Sequence, residues 1–384
     1  MKNTNVPRVA GAVIGDIARD PGARTKYGFF FEALGRRFSL LPVVDSELRG
    51  PGRWRHILAA FHPNLQLWRE RYYQSPGAFT SRSRQAARSL RSLQARADVI
   101  LQVGALFDAG YQSPLPTVLY TDYTAQLSAK KPEAGRSPFN ARVRCQLVSM
   151  EQRVFQNSAF ICTRSLQTKH SIVEDYHIEP ERVHVVGGGV NFRRLPHRPQ
   201  NRSAETSPTV LFIGKEFYRK GGDLLLEAFG AVHAEMPQAR LIMVTGETGA
   251  RGESIKGVEF VRPTWMREDI ARLYRSADIF VLPSRLETWG DVLLEAMAFG
   301  LPCIGANSDA MAEIIDQDSS GILVPPGNVP ALTSALKKLI KDSGLRKRLG
   351  DQGRNQVQTE FTWDRVVERM APIIEAAATT SPRD

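Results

Sequence analysis

The sequence predicts an α/β protein of two successive domains, each a doubly wound parallel sheet. Three observations carry that prediction. At 384 residues, each half is long enough to bury its own core. Apolar runs recur at 97–103, 116–121, 209–214, 239–246 and 278–282, short and mostly unalternated, as in strands covered on both faces. Segments with apolar residues at helical spacing lie between many of them, as parallel crossovers require. The stretch 196–208, rich in Pro, Arg, Asn and Ser, has no apolar period and reads as a linker. Domains of 1–200 and 201–360 follow.

In the first half, 9–17 reads as a strand, 27–37 as a helix and 40–44 as a second strand. The loop 18–26 therefore falls at the carboxyl end of strand one, where open α/β sheets bind ligands. Residues 49–96 hold ten arginines and one acidic residue, Glu70. Trp54, Leu58, Phe61, Leu65 and Trp68 interleave there with Arg53, Arg55, Arg69 and Arg71, and His62-Pro63 divides the segment into two short helices. Such a pattern suits a membrane surface, or equally apolar groups packed inward with arginines snorkelling outward. A helix over 82–96, the strands 97–103 and 116–121, a helix over 139–155, a strand at 159–163, a helix over 165–175 and a strand at 182–186 complete this half.

The second half restarts with a strand at 209–214, a basic loop, and a helix over 224–235. Gly214, Lys215, Arg219 and Lys220 lie in that strand-to-helix turn, where fixed cations and a glycine make a cradle for a diphosphate. Strands at 239–246 and 257–261 precede Arg262, and a helix over 266–276 leads to the strand 278–282. The next turn carries Glu287, with Thr288 and Asp291 spaced as a capping box for a helix from about Gly290 to Phe299. Thr288, Gly290, Asp291 and Val292 would then offer a helix N-terminus to a phosphate. Glu287 and Glu295, with seven residues between them, are either a solvated pair or two holds on the hydroxyls of one ligand.

Charge is divided unevenly. Residues 1–200 hold 29 Lys and Arg against 15 Asp and Glu, or +14, whereas the remainder holds 22 against 25, or −3. The first domain is therefore expected to meet something anionic, such as lipid headgroups, a lipid-linked phosphate or an acidic glycan, with nucleic acid not favoured. No apolar run approaches the ~20 residues of a membrane span, and the polar start reads as no signal peptide. Cys145, Cys162 and Cys303 lack pair or metal spacing, so they read as small core residues of a cytoplasmic protein.

The run Pro-Ser-x-x-Glu-x-x-Gly-x-x-x-x-Glu-Ala-Met-Ala-x-Gly-x-Pro over 283–302 resembles the signature of the retaining glycosyltransferases of family 4. The similarity extends through much of 209–340 and is faint in 1–150. It implies the GT-B fold, two Rossmann-like domains with an interdomain cleft, and a final segment 361–384 crossing back to the first domain. It implies transfer of a sugar from a nucleotide diphosphate sugar to an acceptor hydroxyl, without metal or other cofactor. Glu295 would bond the ribose, Glu287 would lie by the sugar ring, Lys220 would neutralise the diphosphate and Arg262 would meet the base through its main chain.

Departures from the family pattern are specific. Lys215 stands for the usual arginine, with Arg219 available to compensate. Asp122 stands where many members have a histidine beside the reacting sugar, as an acceptor-side base or a strand-end cap. The loop 18–26 lacks the family's glycine pair, so Arg19, Arg24 and Lys26 are candidates to hold an anionic acceptor. Asp309 and Ala310 replace glycines. Glu287→Ala and Lys220→Ala are expected to cut transfer while leaving the fold intact. The rival readings are another GT-B activity on sugar nucleotides, such as an epimerase or inverting transferase, and a non-catalytic basic protein that binds membrane or nucleic acid.

Overall fold

The computed structural model describes residues 6–132, 136–137, 139–196, 208–246, 255–264 and 266–380. Most of the stretch read as a linker, 197–207, lies outside them. The chain divides into two units, Met1–Gly188 with Trp363–Asp384, and Gly189–Thr362. The second unit thus begins upstream of the expected boundary. Val190 explains this: it is buried in the second core, and its N–H donates to the Phe361 carbonyl at 2.7 Å.

In the first unit β1 (Arg8–Val13) leads to α1 (Pro21–Arg37). Two short strands follow, β2 (Ser39–Leu40) and β3 (Val44–Asp45), both paired with β1. Three helices come next, α2 (Gly50–Ala59), α3 (Leu65–Gln74) and α4 (Pro76–Leu90). Then come β4 (Val99–Val103), β5 (Thr117–Thr121), α5 (Ala125–Lys130), α6 (Ala141–Asn157), β6 (Phe160–Thr163), α7 (Leu166–Glu174) and β7 (Val183–Val185). The sheet is parallel, ordered β2-β1-β4-β5-β6-β7, with β3 also on β1. Alternate residues serve different cores. Val9, Val99, Leu101, Val118 and Tyr120 face one, whereas Ala10, Ile100 and Leu119 face the layer opposite. A strand covered on both faces must be apolar throughout, which is why these runs lack alternation.

Helix starts differ from expectation for local reasons. α1 begins at Pro21 rather than residue 27, because Asp20 accepts from the Gly22 N–H at 2.8 Å and proline suits the first helical turn. Arg24 and Lys26 therefore stand on a helix, not on a loop. α4 begins at Pro76 because Ser75 caps the Ala78 N–H at 3.2 Å. Cys145 is exposed on α6, unlike the buried Cys162 and Cys303, so only two of the three are core residues.

The second unit contains β8 (Thr209–Ile213), α8 (Gly222–Glu235), β9 (Arg240–Val244), β10 (Val258–Val261), α9 (Arg267–Ser276), β11 (Ile279–Leu282) and α10 (Asp291–Ala298). It continues through β12 (Cys303–Ala306), α11 (Met311–Ile314), β13 (Gly321–Val324), α12 (Val329–Lys341) and α13 (Ser343–Glu360). The strands are all parallel, in the order β10-β9-β8-β11-β12-β13. The winding moves outward from β8 through β9 to β10, then reverses to β11. The gap between the carboxyl ends of β8 and β11 is the switch point at which doubly wound sheets bind ligands. α14 (Trp363–Thr379) completes the first unit, with Trp363, Val366, Val367, Met370 and Ile374 buried in its core. Among the described residues no helix is long and apolar enough to cross a membrane.

Candidate active site

Two loops meet at the second unit's switch point. The first leaves β8 through Gly214, which is required to be small: a Cβ there would stand 2.7 Å from the Lys220 Cβ and 2.5 Å from the Phe212 ring. Gly221 ends this loop with φ 75°, and a Cβ on it would lie 2.1 Å from the Pro283 carbonyl oxygen. The backbone of one loop thus rests directly on the other. That contact brings Lys220 to Glu287, and the ammonium donates to Oε2 of the carboxylate.

Both members of this pair are buried, with side-chain exposures of 13% and 6%. Burial pulls the Lys220 pKa below its ordinary value, while Glu287 works against that shift. The turn bearing Glu287 is fixed from several directions. Ser284 Oγ donates to the same carboxylate oxygen at 3.4 Å, and the Glu287 N–H donates to Asp309 Oδ2 at 3.0 Å. Arg219, itself buried and paired with Glu216, donates to the Leu286 carbonyl at 2.8 Å. A solvated glutamate is therefore excluded at position 287.

Glu295 lies one turn inside α10. The Tyr274 hydroxyl donates to its Oε2 at 3.1 Å and also to the Val292 carbonyl at 3.1 Å. Burial pushes the Glu295 carboxyl up to about 7, with Asp291 adding to the shift and Arg267 and Tyr274 opposing it. Gly290 occupies the N-cap with φ 101°, so α10 begins where the sequence placed it. The left-handed turn that Gly290 supplies aims the chain into the helix.

Among the remaining candidates, Lys215 is exposed and its carbonyl accepts from the Gly246 N–H at 3.2 Å. Arg219 does not stand free beside it as a second cation for a diphosphate. Its guanidinium is committed to Leu286 and Glu216, so it positions the Glu287 turn. Arg262 is exposed just past β10, two strands from β8 and hence on the order of 10 Å away across the sheet.

In the first unit, Asp122 follows β5 and is half-buried. Burial pushes its carboxyl up, but Lys26, Arg164 and Arg136 more than offset this and hold it below the usual carboxylate value. Lys26 thus belongs with Asp122. Arg19 and Arg24 do not: Arg19 pairs loosely with Asp16 at 3.8 Å and Arg24 donates to the Ala18 carbonyl at 3.1 Å. Sequence reasoning missed Arg164, whose buried guanidinium lies 5.5 Å from the Tyr120 ring centroid and 5.7 Å from that of Trp363. The signal was an arginine directly after a strand. Tyr274 and Arg267 were also missed, because residues 21 and 28 positions before Glu295 reach it only through the fold.

Residues 194–356 match the family described as glycosyl transferases group 1. That match spans less than half of the 384 residues. The chain is 28% identical over 279 residues to a D-inositol 3-phosphate glycosyltransferase of Jonesia denitrificans, covering 66% of this chain and 65% of that one. It is 31% identical over 205 residues to the phosphatidyl-myo-inositol mannosyltransferase of Mycobacterium leprae, covering 52% and 54%. It thus spans less than two thirds of either relative's length. The fold is similar to that of a sucrose-phosphate synthase from Thermosynechococcus elongatus, with a TM-score of 0.68 at 19% identity over 96% of this chain and 98% of the other. Both sheets of this chain are accordingly those of the GT-B fold.

Proposed function

We propose that the protein is a retaining glycosyltransferase of family 4, moving a sugar from a nucleotide diphosphate sugar to an acceptor hydroxyl. The observation that carries this reading is the buried Lys220–Glu287 pair at the reversal of winding between β8 and β11. A bound diphosphate would share the Lys220 ammonium, with Lys215 and the amides at the start of α10 nearby. Charge developing on the leaving diphosphate is the main electrostatic demand of the reaction. Glu287 lies by the sugar ring, Glu295 accepts from the ribose hydroxyls and Arg262 meets the base through its backbone. Cationic side chains do the work of a metal, so no metal cofactor is called for. Asp122, held ionised by its cationic neighbours, takes the acceptor proton in the first unit.

The names of the relatives favour an acceptor that carries phosphate, such as an inositol phosphate or a phosphatidylinositol-type glycolipid. A cytoplasmic protein peripheral to the inner membrane surface fits a feature of α2 and α3. Trp54, Leu58, Phe61 and Leu65, on these helices and the turn between them, are 63%, 67%, 61% and 75% exposed, and Arg53, Arg55 and Arg69 are exposed on the same helices. Exposed tryptophan and leucine among arginines complement an anionic bilayer. Flotation with phosphatidylglycerol vesicles tests it, with Trp54→Ser/Leu58→Ser expected to abolish association.

A thermal-shift series with UDP-, GDP- and ADP-sugars tests the donor reading. Saturation at about 100 times Kd adds about 2.7 kcal/mol to stability, and the shift should vanish in Glu295→Gln. Absence of a shift with every donor would remove the basis of the proposal. Product formed without acceptor would identify an epimerase, and a β-linkage from an α-linked donor would identify an inverting enzyme.

A further inference from the structure

A groove of about 630 Å³ runs along α4, and its lining includes Arg49, Arg84, Arg88, Arg91, Tyr111 and Gln112. Its size falls within the range of ligand clefts. Among the described residues no carboxylate lines it. Arg49, at one end, is already paired with Asp45 at 2.6 Å. Arg84, Arg88 and Arg91 are exposed and form no ion pair among the described residues. They recur at four- and three-residue spacing, so their side chains share one face over a rise of about 10 Å. Like charges so placed repel and destabilise a bare helix. A chain without acidic side chains from 71 to 97 leaves that repulsion unanswered. Gln112, also in the lining, holds φ at 56°, a strained value for a residue with a Cβ.

We propose that this groove binds an elongated polyanionic glycan, a chain carrying carboxylate or phosphate groups along its length. Guanidinium forks match both groups in bidentate fashion. Spread over about 10 Å, the three arginines suit several anionic groups in a row rather than one compact ion. Tyr111 supplies an aromatic surface beside them for a sugar face. The concavity favours a flexible chain over a flat bilayer, which the apolar side chains of α2 and α3 suit better. All its lining belongs to the first unit, whereas the Lys220–Glu287 pair belongs to the second.

Calorimetry with a galacturonate oligomer tests this, with inorganic tripolyphosphate as the compact anion and phosphatidylglycerol vesicles as the bilayer. Wild-type protein should bind the oligomer with an affinity that falls steeply as salt rises. Arg84→Gln/Arg88→Gln should weaken it by about tenfold or more, whereas Arg142→Gln/Arg153→Gln, an equal change of charge on α6, should leave it within about twofold. Because all four arginines are exposed, both variants are expected to fold, and circular dichroism checks that. Equal affinity for tripolyphosphate and oligomer would overturn the elongated ligand. Equal loss in the two variants would reduce the effect to net charge. Binding to vesicles alone, lost in the groove variant, would assign the arginines to a bilayer instead.

Discussion

Lys220 and Glu287 illustrate how burial changes what a substitution does. Expected from sequence to be removable without harm to the fold, they prove to be mutually compensating charges in a nearly water-free site. Removing one leaves the other buried and unpaired, which costs about 3–5 kcal/mol. Glu287→Ala or Lys220→Ala alone should therefore lower stability as well as activity. The double variant Lys220→Met/Glu287→Gln should recover most of the stability and none of the activity. A cycle of urea melts and product assays measures both, and additive losses of stability would refute the coupling.

Glu151 provides a second test on a single residue. It is 6% exposed, accepts from the Ala125 N–H at 2.8 Å and from the Tyr176 hydroxyl, and burial pushes its carboxyl up to about 7 from an ordinary 4.5. A raised carboxyl favours the folded state while protonated, so its contribution is full below about 4.5 and is lost as pH rises through about 7. The shift corresponds to about 3 kcal/mol. Glu151→Gln should flatten the fall in stability between pH 5 and pH 8, read from urea midpoints at each pH. Parallel slopes in the two proteins would rule this out.

At the scale of elements, the two glycines flanking and within α8 should respond oppositely to the same change. Gly221→Ala adds a Cβ at a left-handed φ and drives it into the Pro283 carbonyl, so the two loops of the site must part. A loss of about 1–3 kcal/mol and of donor binding is expected. Gly230 sits inside α8 with open space around the position of a Cβ. Gly230→Ala should stabilise by about 0.5–1 kcal/mol, as helix interiors favour alanine. Thermal melts of the pair, side by side, decide the matter. Helix and strand types in this region were legible because periodicity is a local property. The starts of α1 and α4 were not read, since the Asp20 and Ser75 caps sit before segments that show no apolar period.

For the whole molecule, α14 is the element on which the first unit depends. Trp363 packs against Phe30 with ring centroids 5.2 Å apart and beneath the Arg164 guanidinium, and seven further apolar side chains of the helix are buried with it or nearby. Trp363→Ala should cost about 3–5 kcal/mol. A chain ending at Thr362 should lose the cooperative unfolding of the first unit, while residues 189–362 expressed alone should unfold in one transition. Two intact transitions in the truncated chain would contradict this dependence.

The sequence by itself determined the class of fold, the succession of strands and helices, and the stretch 283–302 that carries the resemblance, because these reside in local spacing and in short runs of residue type. Tertiary structure alone decided which charges meet. It committed Arg219 to holding a turn, joined Lys26 and Arg164 to Asp122, set Tyr274 against Glu295 and buried Glu287 on Lys220. Each of these pairs links residues far apart along the chain, brought together by parallel strands whose neighbours in space are not their neighbours in sequence. A linear pattern carries no record of such meetings.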